Sequence, residues 1–452
     1  MTFLYSVVGF IIAIALLVTV HEFGHYWVAR RLGVKVLRFS VGFGKPIWKK
    51  VAGKDQTEYV IAAIPLGGYV KMLGEGDDEY SEHEAGRAFD NQSLWKKTAI
   101  VSAGPLINFL FAILIYAGLN QYGFQAIKPI IGEIPESSIF YQSGVREGDL
   151  LVAVDEKKFN YFREHQLYVF NRALAKDQMK LNVIRQGVEE EFTVDFSDLS
   201  VKSYKPTFLS WEIGLESVRP KALPVIERLV PDFPAIKSGL EVGDKIVRIN
   251  DIEIETWGDI VRTIGAADDS LMDIGILRDE KFEWISMRPK LVERDGQTIK
   301  QIGIAPSVLP IPDELLFRHV DDFSTSLSRA SIQTWQMSTM IVRVLKQMII
   351  GEASHENISG PITIASIAGE ALQLSWMYYL SILAAISISL GVMNLLPVPM
   401  LDGGHLLYYA IEAIKGSPMS EQSMIVGQKI GLVLLAGLMS LAFYNDIFRL
   451  VN

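Results

Sequence analysis

The chain has 452 residues, 49% of them apolar and 21% charged, with a formal net charge of −9 and no cysteine. Its length leaves room for about three domains, its acidic balance offers nothing for a nucleic-acid backbone to bind, and the lack of cysteine excludes a disulfide framework. Any part in an oxidising compartment must therefore fold by burying an apolar core.

Residues 3–20 carry no charge and are about as long as a bilayer-spanning helix requires, roughly 20 residues. With neither a basic n-region nor an A-x-A-like cleavage site, they read as a retained helix rather than a cleaved signal peptide. Directly behind them stand His21, Glu22 and His25 in the pattern HExxH. Four residues of helix advance about 400°, so His21 and His25 project from nearly the same side and both imidazoles reach one zinc ion at about 2.0 to 2.1 Å. Glu22, one step round, reaches a water on that metal. Two core histidines are the competing reading, but inside an apolar helix each needs a polar partner. Two nitrogen ligands leave a catalytic zinc one protein ligand short.

Arg30, Arg31, Lys35, Arg38, Lys45, Lys49 and Lys50 follow this run, and Lys96 and Lys97 precede a second apolar run at residues 98–119. Lysine and arginine gather in cytoplasmic loops, so the loop between the runs is expected inside, and the N-terminus and the stretch after the second run outside.

In that stretch SGVREGDLLVAVD (residues 143–155) and SGLEVGDKIVRIN (residues 238–250) share a pattern. Gly144 with Gly239, Gly148 with Gly243 and Asp149 with Asp244 each stand 95 positions apart, which predicts two tandem copies of one unit. Each copy reads as a short helix ended by glycine, a tight turn, then an alternating apolar strand. The pattern resembles PDZ domains, which bind extended peptides along a sheet edge; a spacer or steric filter without a ligand is the alternative. Residues 324–351 then show apolar positions at helical spacing, an amphipathic helix that either returns to the membrane or packs on the repeated units.

A third apolar run at residues 374–396 and a shorter fourth at 430–443 bring the expected spans to four and the C-terminus back outside. For the missing ligand, the remaining histidines are His83, His165, His319, His355 and His405. His165 and His319 fall in the external region, and His83 in an acidic loop that reads as solvated. Among carboxylates at membrane depth Asp402 stands out, in NLLPVPMLDGGH. Pro397 and Pro399 break the helix and Gly403 and Gly404 permit close approach, so the segment is expected to be irregular backbone, which a bilayer tolerates only where it lines a protein cavity. A plain turn after a helix is the competing reading.

HEFGH in the first span together with NLLPVPMLDGG near the third resembles the site-2 protease family of intramembrane metalloproteases, with its signatures HExxH and NxxPxPxLDG. The likeness covers essentially the whole chain, including GPLINFLFA from Gly104 and ISGPI at residues 358–362. It implies a polytopic α-helical membrane protein of four transmembrane helices, with two tandem extracytoplasmic PDZ domains and a membrane-associated β-hairpin. The expected division is residues 1–120 as the first half of the membrane core, 121–207 and 208–308 as the PDZ copies, 309–370 as amphipathic helix and connecting loop, and 371–452 as the second half of the core.

By the same resemblance His21, His25 and Asp402 hold one Zn²⁺ per chain, and Glu22 is the general base and later acid. Asn394 matches the family's asparagine, implicated in substrate positioning, to which we add oxyanion stabilisation as our own expectation, and Pro397 and Pro399 are expected against the substrate. Gly67, Gly68, Tyr69 and Val70, in IPLGGYVKM, match the family's membrane-reentrant hairpin, whose alternating pattern suits an edge strand for an unwound substrate. Gly42 to Gly44 match a membrane-associated segment. The implied setting is the bacterial inner membrane, with the PDZ copies and both termini periplasmic and the active site toward the cytoplasm. The implied substrates are single-span membrane proteins of the anti-sigma-factor type, cut after a first external cleavage, and signal-peptide remnants. The rival readings are a non-catalytic PDZ scaffold with a structural metal and a metal transporter; the latter would call for more intramembrane carboxylates.

Overall fold

The computed structural model describes residues 2–75, 80–199, 209–268, 270–294, 297–354 and 358–451. The first helix, α1 (Thr2–Arg31), runs unbroken from the apolar run through HExxH. Two long strands follow, β1 (Val36–Ala52) and β2 (Thr57–Met72), paired in a sheet. Val41 of β1 lies opposite both Ile61 and Gly68 of β2, and Arg38 opposite both Glu58 and Lys71, so the final run of β2 pairs on one side only. One face of that run meets α1: a Cβ added at Gly68 would lie 2.9 Å from Val18 Cγ1 and 3.2 Å from Glu22 Cγ. The next helix, α2 (Leu94–Tyr122), packs along α1. At Gly24 an added Cβ would stand 2.4 Å from the Ala103 carbonyl oxygen, the close backbone approach that small residues permit between membrane helices.

The β-rich region opens with β3 (Phe124–Ile127), α3 (Ile139–Gln142), β4 (Leu150–Val154), β5 (Lys157–Lys158), α4 (Gln166–Leu174), β6 (Gln178–Arg185) and β7 (Val188–Asp195). A second round follows as β8 (Lys221–Leu229), α5 (Pro234–Lys237), β9 (Lys245–Ile249), β10 (Ile252–Glu253), α6 (Trp257–Ala266), β11 (Met272–Arg278) and β12 (Lys281–Met287). It ends with the hairpin β13 (Lys290–Arg294) and β14 (Gln297–Gln301), then β15 (Ile304–Leu309). The first sheet runs β5-β4-β6-β7, and the second β12-β11-β9-β8-β15 with β10 on β9.

The 95-residue repeat holds at the level of single hydrogen bonds. Ile131 N donates to Asp149 O and Ile226 N to Asp244 O, both at 2.9 Å, and the Asp149 and Asp244 carboxylates each accept from the backbone three residues back at 2.8 Å. Each buried aspartate is clamped by the arginine that ends β6 or β11, Arg185 or Arg278, which also donates to the Gly144 or Gly239 carbonyl at 2.8 Å. Both glycines hold φ above +80°, a conformation glycine adopts without a steric cost. Each unit has its own apolar core; the first draws in Ile213 and Leu215, past residue 208.

Next comes β16 (Leu316–His319), which pairs with β3 and ties the two ends of the β-rich region together. The amphipathic helix α7 (Phe323–Ile349) is capped by the Asp322 carboxylate, and packs against α2 and against α4 of the first unit at once. It is followed by α8 (Pro361–Leu374), α9 (Trp376–Leu395), α10 (Asp402–Lys415) and α11 (Glu421–Val451). Among the described residues four helices are long and apolar enough to cross a bilayer, at Phe3–Arg31, Leu94–Tyr122, Trp376–Leu395 and Gln422–Arg449. The last is twice the expected apolar run, because polar residues at both ends extend it. The 14-residue α8 packs along α1; its apolar sequence merges with the third run and hides the break at Ser375, which caps α9.

The ISGPI segment is the start of α8. Asp446 of α11 accepts from Gly360 N at 2.9 Å, Ile362 N at 2.8 Å, Thr363 N at 3.2 Å and Thr363 Oγ1 at 2.6 Å. A carboxylate from another helix thus caps donors that the first turn leaves open, with Pro361 at the position that needs no N–H. Between the membrane helices the packing is small: Ala112, Ala117, Ala330 and Ala384 are buried, whereas Leu106, Leu110 and Leu114, one turn apart on α2, face outward.

Candidate active site

α1 contributes His21 and His25, both buried, and α10 contributes Asp402 as its first residue. Residues 396–401 are irregular, with Met400 at φ 88°, and helix resumes at Asp402. Gly403 and Gly404 therefore sit in the first turn of α10 and not in irregular backbone as the sequence led us to expect. Their role in close approach stands, since an added Cβ would lie 2.2 Å from Leu396 O or 2.5 Å from Val398 O. A carboxylate in the first turn also sits in the favourable field of the helix N-terminus.

The three side chains converge. His21 Nε2 lies 3.2 Å and His25 Nε2 3.5 Å from Asp402 Oδ2, and the two nitrogens are 3.3 Å apart. Ligands about 2.0 to 2.1 Å from a tetrahedral zinc stand about 3.3 Å from one another, so this triangle fits the ion. Asp402 Oδ2 is buried and, apart from those imidazole nitrogens, has no hydrogen-bond partner. Among the described residues these three alone group their His, Asp or Glu donor atoms this tightly. Glu22, half-buried beside them, lies against Gly68 of β2.

α2 supplies three features that sequence reasoning missed. The Ile100 carbonyl accepts from His25 Nδ1 at 2.9 Å. Gly104 leaves the space the imidazoles occupy: a Cβ there would fall 2.2 Å from His25 Nε2 and 2.8 Å from His21 Cε1. Asn108, one turn on and fully buried, sets its side-chain amide 3.1 Å from His21 Nδ1. Pro105 between them has no N–H to give to the preceding turn. All of these lie in or beside GPLINF, a string whose composition says nothing of which side faces α1.

Asn394 stands near the end of α9, half-buried, and its side chain has no hydrogen-bond partner among the described residues. Pro397 and Pro399 lie in the irregular segment before Asp402. Helix α11 rests on that segment: a Cβ on Gly431 would be 2.0 Å from Pro399 O, and one on Gly427 2.0 Å from the Tyr408 hydroxyl oxygen. Gly67, at φ 117°, Gly68, Tyr69 and Val70 lie on the final run of β2. There Phe43 stacks on Tyr69 with centroids 6.2 Å apart, and Arg38 donates to the Tyr69 hydroxyl at 3.0 Å. The other histidines stay apart from the triangle. His83 is exposed in a short turn, His165 bonds the Lys158 carbonyl, His319 pairs with Asp321, and His405 lies three residues beyond Asp402 and is exposed. His355 lies outside the described residues. A cavity of about 1140 Å³ opens between the first β-rich unit, α7, α2 and α9, lined by Tyr116, Asn120, Tyr161, Glu164, Arg329 and Tyr378 among others. It is separate from the triangle, none of whose residues lines it.

Residues 9–438 match peptidase family M50. The regulator of sigma-E protease RseP of Escherichia coli strain K12 is 38% identical over 453 residues, covering 100% of each chain. A putative zinc metalloprotease of Vibrio cholerae is 38% identical over 452 residues, 99% of each chain. Protease RseP of Yersinia pestis is 38% identical over 455 residues, 100% of each chain. A solved PDZ domain of the SdrC-like protein of Listeria monocytogenes aligns at 18% identity with 24% of this chain and 98% of its own. Its TM-score of 0.16 is too low to bear on the fold.

Proposed function

This chain belongs to peptidase family M50, the site-2 protease family, as an intramembrane zinc metalloprotease, and from that premise we propose that His21, His25 and Asp402 hold one zinc ion while Glu22 works beside it as the general base. The observation that carries this reading is the triangle of donor atoms with edges of 3.2, 3.5 and 3.3 Å, one corner of it a buried carboxylate oxygen. The scaffold and transporter readings give way to the protease.

A zinc ion held by His21, His25 and Asp402 would supply polarisation of the scissile carbonyl and a water whose pKa is lowered toward about 7. Glu22 takes that water's proton as the peptide carbonyl is attacked and returns it to the leaving amine, so that one C–N bond is exchanged for one C–O bond. The Asn394 amide, uncommitted to any protein group among the described residues, donates to the carbonyl oxygen as negative charge develops there. A transmembrane helix shields its own carbonyls by hydrogen bonds, so the substrate must unwind. The unpaired flank of Gly67, Gly68, Tyr69 and Val70 runs beside Glu22 and offers the extended segment a strand to pair with. Pro397 and Pro399 hold the loop against which it lies. Phe43, Ile47, Trp48, Ile61 and Ile64 are exposed on the β1–β2 sheet among Lys45, Lys49 and Lys50, a composition suited to the lipid interface.

We take the two repeated units as tandem PDZ domains, on their shared glycine turns and buried aspartate-arginine clamps, and place them with both termini in the periplasm, the site facing the cytoplasmic side of the inner membrane. The substrates are single-span membrane proteins of the anti-sigma-factor type and signal-peptide remnants, trimmed first by an external cut. The PDZ pair acts either as a size filter or as a dock for the new carboxyl terminus. Deleting both copies separates these: a filter predicts cleavage of untrimmed substrate, a dock predicts loss of cleavage of trimmed substrate. With no native cysteine, single cysteines beside Lys50 and Asp251 report orientation, and labelling of the first with protection of the second from outside would reverse it.

The deciding experiment uses purified protein and a single-span substrate in detergent. Glu22→Gln is expected to keep its zinc and lose about 10²- to 10⁴-fold in cleavage rate, and Asp402→Ala to lose zinc. Full activity in the first or an unchanged zinc content in the second would refute the assignment.

A further inference from the structure

We propose that Asn108 is a positioning residue for His21, its side-chain amide accepting the proton of Nδ1 so that Nε2 is left bare for the metal; this rests on the reading of His21, His25 and Asp402 as the metal ligands. Asn108 is fully buried on α2, one turn beyond Gly104, and its backbone carbonyl is held by Ser387 Oγ of α9 at 2.9 Å. Its side chain thus has a fixed root and one neighbour of consequence.

In the present orientation Asn108 Nδ2 faces His21 Nδ1 at 3.1 Å. An amide nitrogen only donates, so Nδ1 must be the bare nitrogen and the ring proton sits on Nε2, directed at Asp402 Oδ2 at 3.2 Å. An Nε2 that ligates a metal carries no proton, so the neutral ring must bear it on Nδ1 and needs an acceptor at the place where the amide nitrogen stands. A half-turn of the amide exchanges its nitrogen and oxygen at almost unchanged positions. Oδ1, buried and without a partner in the present orientation, becomes that acceptor.

His25 shows the contrasting arrangement. Its Nδ1 donates to the Ile100 carbonyl at 2.9 Å, an acceptor that cannot be reversed, so in the neutral ring its Nε2 is the bare nitrogen. One ligand is preset by backbone and the other by a side chain that can turn. His21 is therefore the histidine whose readiness to bind depends on another residue.

The test measures zinc affinity by chelator competition on full-length protein in detergent, for wild type, Asn108→Asp, Asn108→Leu and Asn108→Ala. Thermal unfolding in excess chelator is followed for each, with the visible absorption of the cobalt-substituted form. Asn108→Leu keeps the volume and removes the acceptor, and is expected to weaken zinc binding by about 10- to 100-fold and to alter the cobalt spectrum. Asn108→Asp keeps an acceptor and is expected to stay near wild type in both. Asn108→Ala repeats the loss of acceptor without the bulk, should leucine unfold the protein. Wild-type affinity in both apolar variants would overturn the inference, as would Asn108→Asp losing as much as they do. If wild type itself binds no zinc, or binds it unchanged after Asp402→Ala, the ligand assignment falls, and the role of Asn108 with it.

Discussion

The β-rich units and the membrane core bury opposite things. Each unit surrounds an apolar core, with Ile131, Leu181 and Phe196 fully buried in the first and Ile226, Ile249 and Ile274 in the second, and apart from its one arginine-clamped aspartate it leaves most of its charges to water. The membrane core turns leucines outward at positions 106, 110 and 114 and keeps alanines, glycines, two histidines and an aspartate within. In water the driving force is removal of apolar surface. In lipid it is absent between helices, which then associate through close packing and polar contacts. Structural information in the units is accordingly local and repeats, whereas in the core it lies in which small or polar residue faces which helix.

The strongest way to break this contrast is to enlarge a small residue at the site. Gly104→Val is expected to abolish stoichiometric zinc binding, since its first added carbon falls on His25 Nε2, while the β-rich units stay folded; metal content with hydrogen exchange checks both. Next comes the clamp of a repeated unit. Asp244→Ala removes the buried acceptor of Arg278 and of the Glu241 amide and is expected to destabilise the second unit, seen as faster hydrogen exchange there, with zinc content unchanged. Asp149→Ala should do the same in the first, and a large difference between them would mean the copies are not equivalent. Removing the inter-helix cap by Asp446→Ala strands the amides of Gly360, Ile362 and Thr363 and is expected to destabilise the core by about 2 kcal/mol, seen as a lower detergent unfolding temperature. Smallest is Leu110→Ala, facing outward at 48% exposure, expected within about 0.5 kcal/mol of wild type. A large loss there would show that α2 is covered by protein on that face.

The repeat was legible because the glycines and aspartates that build each turn keep one spacing. Their arginine partners were not, because Arg185 and Arg278 stand 93 positions apart and break the register. HExxH was legible because both imidazoles belong to one helix. Asp402 stood out as a lone carboxylate among prolines and glycines, although its place as the first residue of α10 did not. Asn108, Gly104 and the Ile100 carbonyl were invisible as site residues, since an apolar helix with no hydrophobic face does not reveal which side meets its neighbour.

By itself the sequence determined what depends on short range: four apolar runs, a histidine pair one helical turn apart, and two copies of a turn-and-strand motif. Only the tertiary structure decided how α1, α2 and α10 meet, because that rests on a glycine's missing Cβ, a backbone carbonyl of α2 that meets His25, and an aspartate carried 381 positions along the chain to within 3.2 Å of His21. Contacts of that kind are set by shape at close range and leave no period in the chain to read.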